Sequence, residues 1–559
     1  MSTIEDATRS AGRQLAFYFV AALLFFIAVL FAISLLSGDE ASSGGIDVAN
    51  NTITVTVRQE PPQLDAGRST DAASFSVLSH VGEGLTAYNP TNQLIPGVAE
   101  RWDIRADGAT FYLREDAKWS DGKPITAHDF VFAWRRVVDP ATASQYSFIM
   151  YSIKNGEAIN TSQLPVETLG VRATSDFILD VEFERPTPFF DKLTAFITFF
   201  PIRQDFFEST NGRYGADADM LLSNGPYVLT DWVHGSSMLW DNNSYYWNEE
   251  KGLLDQIKVA YITSDVNAKL NLFKDGQIAD TDLVSPMLPQ AMLRKWQIDR
   301  VMDGGVFYME FNHREGYVSG NLNFRKAIKL AQDPTELVFK VLKEPAYVKA
   351  ESLFPAWIQG VNDAFRKEYP PIFHQLNVAK AREHLELARI ELGLDEFPPI
   401  VLLTGDTPVS VLGAEYYQQL FAKNLGLEIR IDIQIFKQRL AKMTSGDFDM
   451  VMSGWGPDYF DALTFGDLFS SWNLNNRGRY NNPELDAFIR IGQTELDPQV
   501  RMNAFGEIQR IVSEEVVIIP MYERGWSFVV DSRLKGLIRR QVGSEVDYNY
   551  AYIDKSAVQ

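Results

Sequence analysis

The 559-residue chain contains no cysteine. That single absence removes disulfides, thiolate metal sites, cysteine nucleophiles and any lipid-modified N-terminal cysteine. Histidine is scarce too: His80, His128, His234, His313, His374 and His384 stand at no spacing that suits a metal. The phosphate loop GxxxxGK, the dinucleotide fingerprint GxGxxG, the zinc-protease HExxH, the hydrolase elbow GxSxG and the calcium loop DxDxDG are missing. Positive charge is short, with 52 Lys and Arg against 73 Asp and Glu, a net −21 that argues against nucleic acid and against an anionic membrane surface. Neither a repeat of solenoid length nor a long low-complexity tract is found. No cofactor is expected and no enzyme is indicated, because no nucleophile or metal constellation can be pointed to.

What is present is a long, acidic, aromatic-rich chain whose length predicts two or three packed lobes. Residues 15–36, "LAFYFVAALLFFIAVLFAISLL", carry no charge. As a helix this run covers about 33 Å, enough to cross a bilayer core of about 30 Å. It is longer than a cleavable signal's apolar region, and "SGDE" after it makes a poor cleavage site. Arg9 and Arg13 precede it while Asp39 and Glu40 follow. The charge asymmetry predicts a cytoplasmic segment 1–14, a retained span 15–36, a tether 37–50 and an extracytoplasmic remainder. A cleaved, secreted form is the alternative.

Along the remainder, strand and helix patterns alternate. "NTITVTVR" alternates Ile53, Val55 and Val57 with threonines, a strand pattern. After Thr126, the positions Phe130, Ala133, Trp134 and Val137 share one helix face. "PIVLLT", "LGAEYYQQLFAKNLG", "LEIRIDIQIF", "KQRLAKMTSG" and "FDMVMSGWG" read as strand, helix, strand, helix, strand. Such alternation predicts α/β lobes with mostly parallel sheets. A large α/β protein outside the membrane with no visible reactive group favours capture over chemistry.

Several stretches carry a resemblance, in one order. They are "EPPQLD" (60–65), "GEGLTAY" (82–88), "LIPGVAERWDI" (94–104), "YLREDAKWSDGKPITAHDFVFAWRRVVDPATAS" (112–144), "LSNGPYVLTDW" (222–232), "YYWN" (245–248), "FRKAIKLAQDPTEL" (324–337), "SGWGPDY" (453–459) and "RYNNPELDAFI" (479–489). Over about nine tenths of its length the chain resembles the extracytoplasmic solute-binding proteins of the oligopeptide and dipeptide class that serve ATP-binding-cassette importers. The resemblance implies an α/β periplasmic-binding-protein fold of type II, in its large three-domain variant. Lobe I would comprise 46–82, 205–308 and 525–559, the inserted domain 83–204, and the other lobe 309–524. It implies a peptide ligand lying extended between lobes that close about hinges, delivery to a permease of two membrane subunits with ATPases, and a monomer at the periplasmic face of the inner membrane.

Carried over by motif, Asp458 matches the aspartate that holds the peptide's ammonium. Gly454, Trp455 and Gly456, with Tyr459 beside them, match one ligand-pairing edge, and Ser69, Thr70 and Asp71 the opposite edge. Tyr146 matches an aromatic lining the cleft. Asp461 reads as a cap for the following helix, and Trp119 and Trp134 read as core. The pattern departs where relatives carry arginines for the ligand's carboxylate: Met452 and Met443 stand there, with Lys442 beside the latter, and Thr70 replaces a carboxylate. That leaves the carboxylate solvated, the ligand longer, or the ligand a different kind of peptide, such as a muropeptide. A tethered sensor or scaffold that feeds no permease is the competing reading.

Overall fold

The computed structural model describes residues 44–372, 375–542 and 544–558. The expected anchor 15–36 and segment 1–14 lie outside the described residues, as do residues 37–43 of the expected tether, whose described part enters the first sheet at Ile46–Asp47. Among the described residues no helix is long and apolar enough to cross a membrane.

Three sheets organise the chain. The first has five strands in the order Ile46–Asp47, Thr52–Val57, Gln256–Ile262, Ser237–Asn242 and Tyr227–Val233. Ile53 and Val55 are fully buried in it, as their alternation predicts. The helix Ala72–Val81 lies close by and is capped by Asp71, whose carboxylate accepts from the Ser74 amide at 2.9 Å.

The second sheet is a four-stranded antiparallel one, Ala99–Arg105, Gly108–Leu113, Ile178–Glu182 and Val171–Ser175. Helix Ala127–Val138 packs on it through Phe130, Ala133, Trp134 and Val137, the face that the spacing predicts. Its start is a capping box in which the Thr126 amide donates to Asp129 at 2.9 Å. Trp119 and Trp134 are core, and the Trp134 indole donates to Phe199 O at 2.9 Å. One hydrophobic cluster runs through both of these sheets.

The third sheet follows the order Asp280–Leu283, Ile518–Val530, Asp299–Phe311, Met450–Trp455, Ile400–Gly405 and Ile429–Gln434, with Val348–Lys349 against the second strand. Hydrophobic clusters lie on both of its faces. Its two 13-residue strands pair along their length, but their register breaks between Met302 and Val306, where Gly304 has φ +81°. That conformation favours glycine.

The expectation of mostly parallel sheets is corrected. Parallel pairing is confined to Thr52–Val57 with Gln256–Ile262 and to Ile400–Gly405 with its two neighbours; the other strand pairs are antiparallel. The strand–helix alternation read near residue 400 is a true parallel unit. The antiparallel pairs are either hairpins of neighbouring strands, as at Tyr227–Val233 with Ser237–Asn242, or join distant segments, as Asp299–Phe311 with Ile518–Val530, which periodicity cannot report.

Candidate functional site

The stretch "GWGPDYFDALTFGDLFSS" (454–471) leaves the third sheet and meets the second-sheet domain. Strand Met450–Trp455 pairs along one side with Val306 to Phe311, residue for residue. On its other side only Met450 and Val451 pair, with Leu402 and Leu403. From Met452 onward that edge has no neighbouring strand among the described residues. The Met452 carbonyl faces it, because Arg439 Nη1 donates there at 3.2 Å. Backbone groups alternate along a strand, so Gly454 turns its amide and carbonyl to the same edge, and Gly456 follows just past the strand's end.

The two glycines differ in what requires them. A Cβ at Gly454 would meet the Phe307 ring at 2.6 Å, so packing behind the strand demands glycine there. A Cβ at Gly456 would meet nothing within 4 Å. Trp455 is half-buried between the lobes, and its indole nitrogen has no partner among the described residues.

Two aspartates follow, three positions apart. Asp461 is 4 % exposed and receives Lys192 Nζ at 2.6 Å from the second-sheet domain and both Arg501 amino groups from its own lobe. Both cations hold its carboxyl well below the usual range against the opposing effect of burial. It also accepts from the Leu463 amide at 3.0 Å, a turn bond made one position before the cap site, which Ala462 occupies in place of the expected Asp461. Asp458 is the opposite case. Its backbone amide donates to Thr464 Oγ1 at 3.0 Å, but its carboxyl has no hydrogen bond or ion pair among the described residues. Burial alone pushes it up to about 6. Asp467 lies near enough that burial, together with the Asp458 charge, pushes it up to about 7, opposed by a bond from Gln493.

The facing lobe closes over this turn with aromatics. Tyr459 stacks on Phe189 at 5.5 Å and 7°, and Phe460 meets Tyr88 edge-on at 4.7 Å. Tyr146 packs among Phe75, Phe148 and Phe196, and the Asp458 charge adds to burial in raising its phenol. The structure therefore brings Asp458, Tyr459 and Tyr146 together. A small cavity of about 90 Å³ opens beside Asp458, walled by Tyr88, Phe196, Lys251, Arg540 and Tyr550. A much larger one of about 790 Å³ lies across the Lys192–Asp461 bridge, against Trp357 and Gln541.

The segment 69–72 has structural work of its own. Ser69 is buried and its hydroxyl donates to Asp65 O at 2.9 Å, Asp71 caps its helix, and Thr70 is exposed. None of the three lines the cavity beside Asp458. Residues that sequence reasoning missed include Lys192, Arg501, Tyr88, Phe189 and Asp467. Only Asp467 carried a local signal, as a third carboxylate in an aromatic-rich turn. Among the described residues, no group of three or more His, Asp and Glu side chains is placed to hold a metal ion.

Comparison with known proteins agrees with this architecture. Residues 93–476 match the model of the bacterial extracellular solute-binding proteins, family 5. The oligopeptide-binding protein OppA of Bacillus subtilis is 31% identical over 512 residues, covering 90% of this chain and 92% of that protein. The periplasmic murein peptide-binding protein MppA of Escherichia coli is 27% identical, covering 90% and 94%. The solved structure of Listeria monocytogenes OppA bound to peptide superposes with a TM-score of 0.73 at 31% identity, covering 91% of this chain and all of that one. The chain belongs to the family 5 bacterial extracellular solute-binding proteins, whose members bind solutes rather than transform them.

Proposed function

We propose that this family 5 solute-binding protein captures peptides between its lobes by hinge closure and delivers them to an ATP-binding-cassette permease. The observation that carries the reading is Asp458, a half-buried, desolvated carboxyl with no counter-ion among the described residues, at the end of an open strand edge. A peptide's terminal ammonium fits it, and a charge-assisted pair of this kind contributes about 1.5–3 kcal/mol. The backbone edge at Gly454 and Gly456 supplies sequence-independent pairing to an extended ligand, with side chains received by the adjoining cavities. Trp455, Tyr459 and Tyr146 wall the path. Ser69, Thr70 and Asp71 remain the proposed opposite edge, with the exposed Thr70 its accessible member.

Closure and capture are coupled through solvation. In the closed form Asp458 is largely desolvated and has no partner among the described residues, which disfavours closing over an empty cleft. An arriving ammonium removes that penalty, so ligand shifts the population toward the closed form. The lobes proposed are 46–82 with 205–308 and 525–559, then 83–204, then 309–524. They pivot where the long strands lose register at Gly304 and where Arg524 pairs with Asp303. The protein acts as a monomer at the extracytoplasmic face, held by the span 15–36, with residues 1–14 in the cytoplasm.

The names of similar proteins support peptides and murein peptides alike. Native mass spectrometry of the protein purified without refolding tests the reading. A set of peptides leaving on denaturation, and lost in Asp458→Ala, is the expected result. A protein that neither retains nor takes up peptides would sink it.

A further inference from the structure

Arg439 lies at the other end of the open edge from Asp458. It belongs to helix Phe436–Ser445, which follows strand Ile429–Gln434, so it sits at the C-terminal ends of the parallel strands. Ligands of open α/β sheets bind at such strand ends. Its Nη1 reaches the Met452 carbonyl at 3.2 Å, its Nε has no partner, and no carboxylate among the described residues stands within ion-pair distance of it. The Phe436 ring lies 5.5 Å from the guanidinium and is 64% exposed, with Ile435 beside it. Arg477 stands near, resting on Met443 Sδ at 3.8 Å, also without a carboxylate at ion-pair distance. Burial acts against the charged form of Arg439, and the Arg477 charge adds to this. The positions Met443 and Met452, which themselves carry no charge, are thus each attended by a guanidinium from elsewhere in the chain.

The open edge has a polarity. A peptide that pairs along 452–456 with its ammonium at Asp458 directs its carboxylate toward Met452, which is where Arg439 reaches. We propose that Arg439, with Arg477 supporting the local positive potential, is the carboxylate-terminus subsite of this protein and sets the ligand length it prefers. The inference rests on the peptide reading above. Six positions separate Met452 from Asp458, an extended reach of at most about 20 Å, shortened by the turn at Pro457. A ligand that touches both ends is therefore about three to five residues long. The guanidinium fork suits a carboxylate in a way an ammonium does not.

The test is titration calorimetry with tri-, tetra-, penta- and octa-alanine, each as free acid and as C-terminal amide. Wild-type protein is expected to bind the amide of one or more of the three short peptides about tenfold more weakly than its acid, the scale of one charge-assisted bond, and to treat the two octapeptides alike. Arg439→Gln removes the acid–amide gap yet keeps the loss caused by N-acetylation, which shows its cleft is intact. Arg439→Lys retains part of the gap. Equal binding of acid and amide at every length, or an undiminished gap in Arg439→Gln, overturns the subsite while leaving peptide capture standing. Binding of no alanine peptide in any form overturns both.

Discussion

Asp458 and Asp461 occupy one turn, the first half-buried and the second buried, and behave oppositely. Asp461 has two cations and is held charged, so it works for the structure: it ties the second-sheet domain to the third-sheet lobe through Lys192. Asp458 has none among the described residues and burial pushes it up to about 6, the contrast on which the proposed ammonium site rests. A buried carboxylate reports a structural role when its partners come from the chain and a binding role when they do not.

The comparison can be broken hardest at Asp461. Asp461→Ala strands Arg501 and Lys192 without their anion, and a stability loss of about 3–5 kcal/mol is expected in denaturant unfolding. A change below 1 kcal/mol would mean the network contributes little. Asp458→Asn is expected to do the reverse. Peptide affinity falls by about ten- to a hundredfold, while the ligand-free protein at pH 7 is no less stable and closes more readily, because no charge is then desolvated.

Acidity sharpens the same contrast. The Asp458 pKa is raised by burial, so the empty closed form is relatively favoured below the unburied carboxylate pKa and loses that advantage as pH rises to about 6. Capture needs the charged carboxylate. Affinity is therefore expected to be level between about pH 6 and 8, and to fall roughly tenfold per unit well below that range. The Lys192–Asp461 tie persists through this window because Asp461 titrates far lower. A flat profile down to pH 4.5 would contradict the assignment. The smallest effect separates the glycines: Gly454→Ala collides with Phe307 and lowers the melting temperature, whereas Gly456→Ala is nearly silent in stability.

How much was legible beforehand follows the same division. The face of helix Ala127–Val138 and the special turn at "GPD" are local patterns, and sequence carries local patterns well. Asp461 was read as the helix cap, but Ala462 holds that position, and Asp461, one residue before it, makes a turn bond to the Leu463 amide instead. Its greater role was not legible, because Lys192 is 269 positions away and Arg501 is 40. Sheet direction was misread for the same reason: helices between strands suggest crossovers, but the third sheet inserts two long antiparallel strands from distant segments. Arg439 was overlooked because the reading looked for arginines at Met452 and Met443, and a guanidinium can reach one site from several starting points.

The central claim, that Asp458 is held vacant for an ammonium, is tested most directly by one paired titration. Tetra-alanine and its N-acetylated form are measured against wild-type protein and Asp458→Asn at pH 7. The account predicts at least a tenfold preference for the free amine in wild type and none in the variant. Equal affinity of wild-type protein for the two peptides would contradict it.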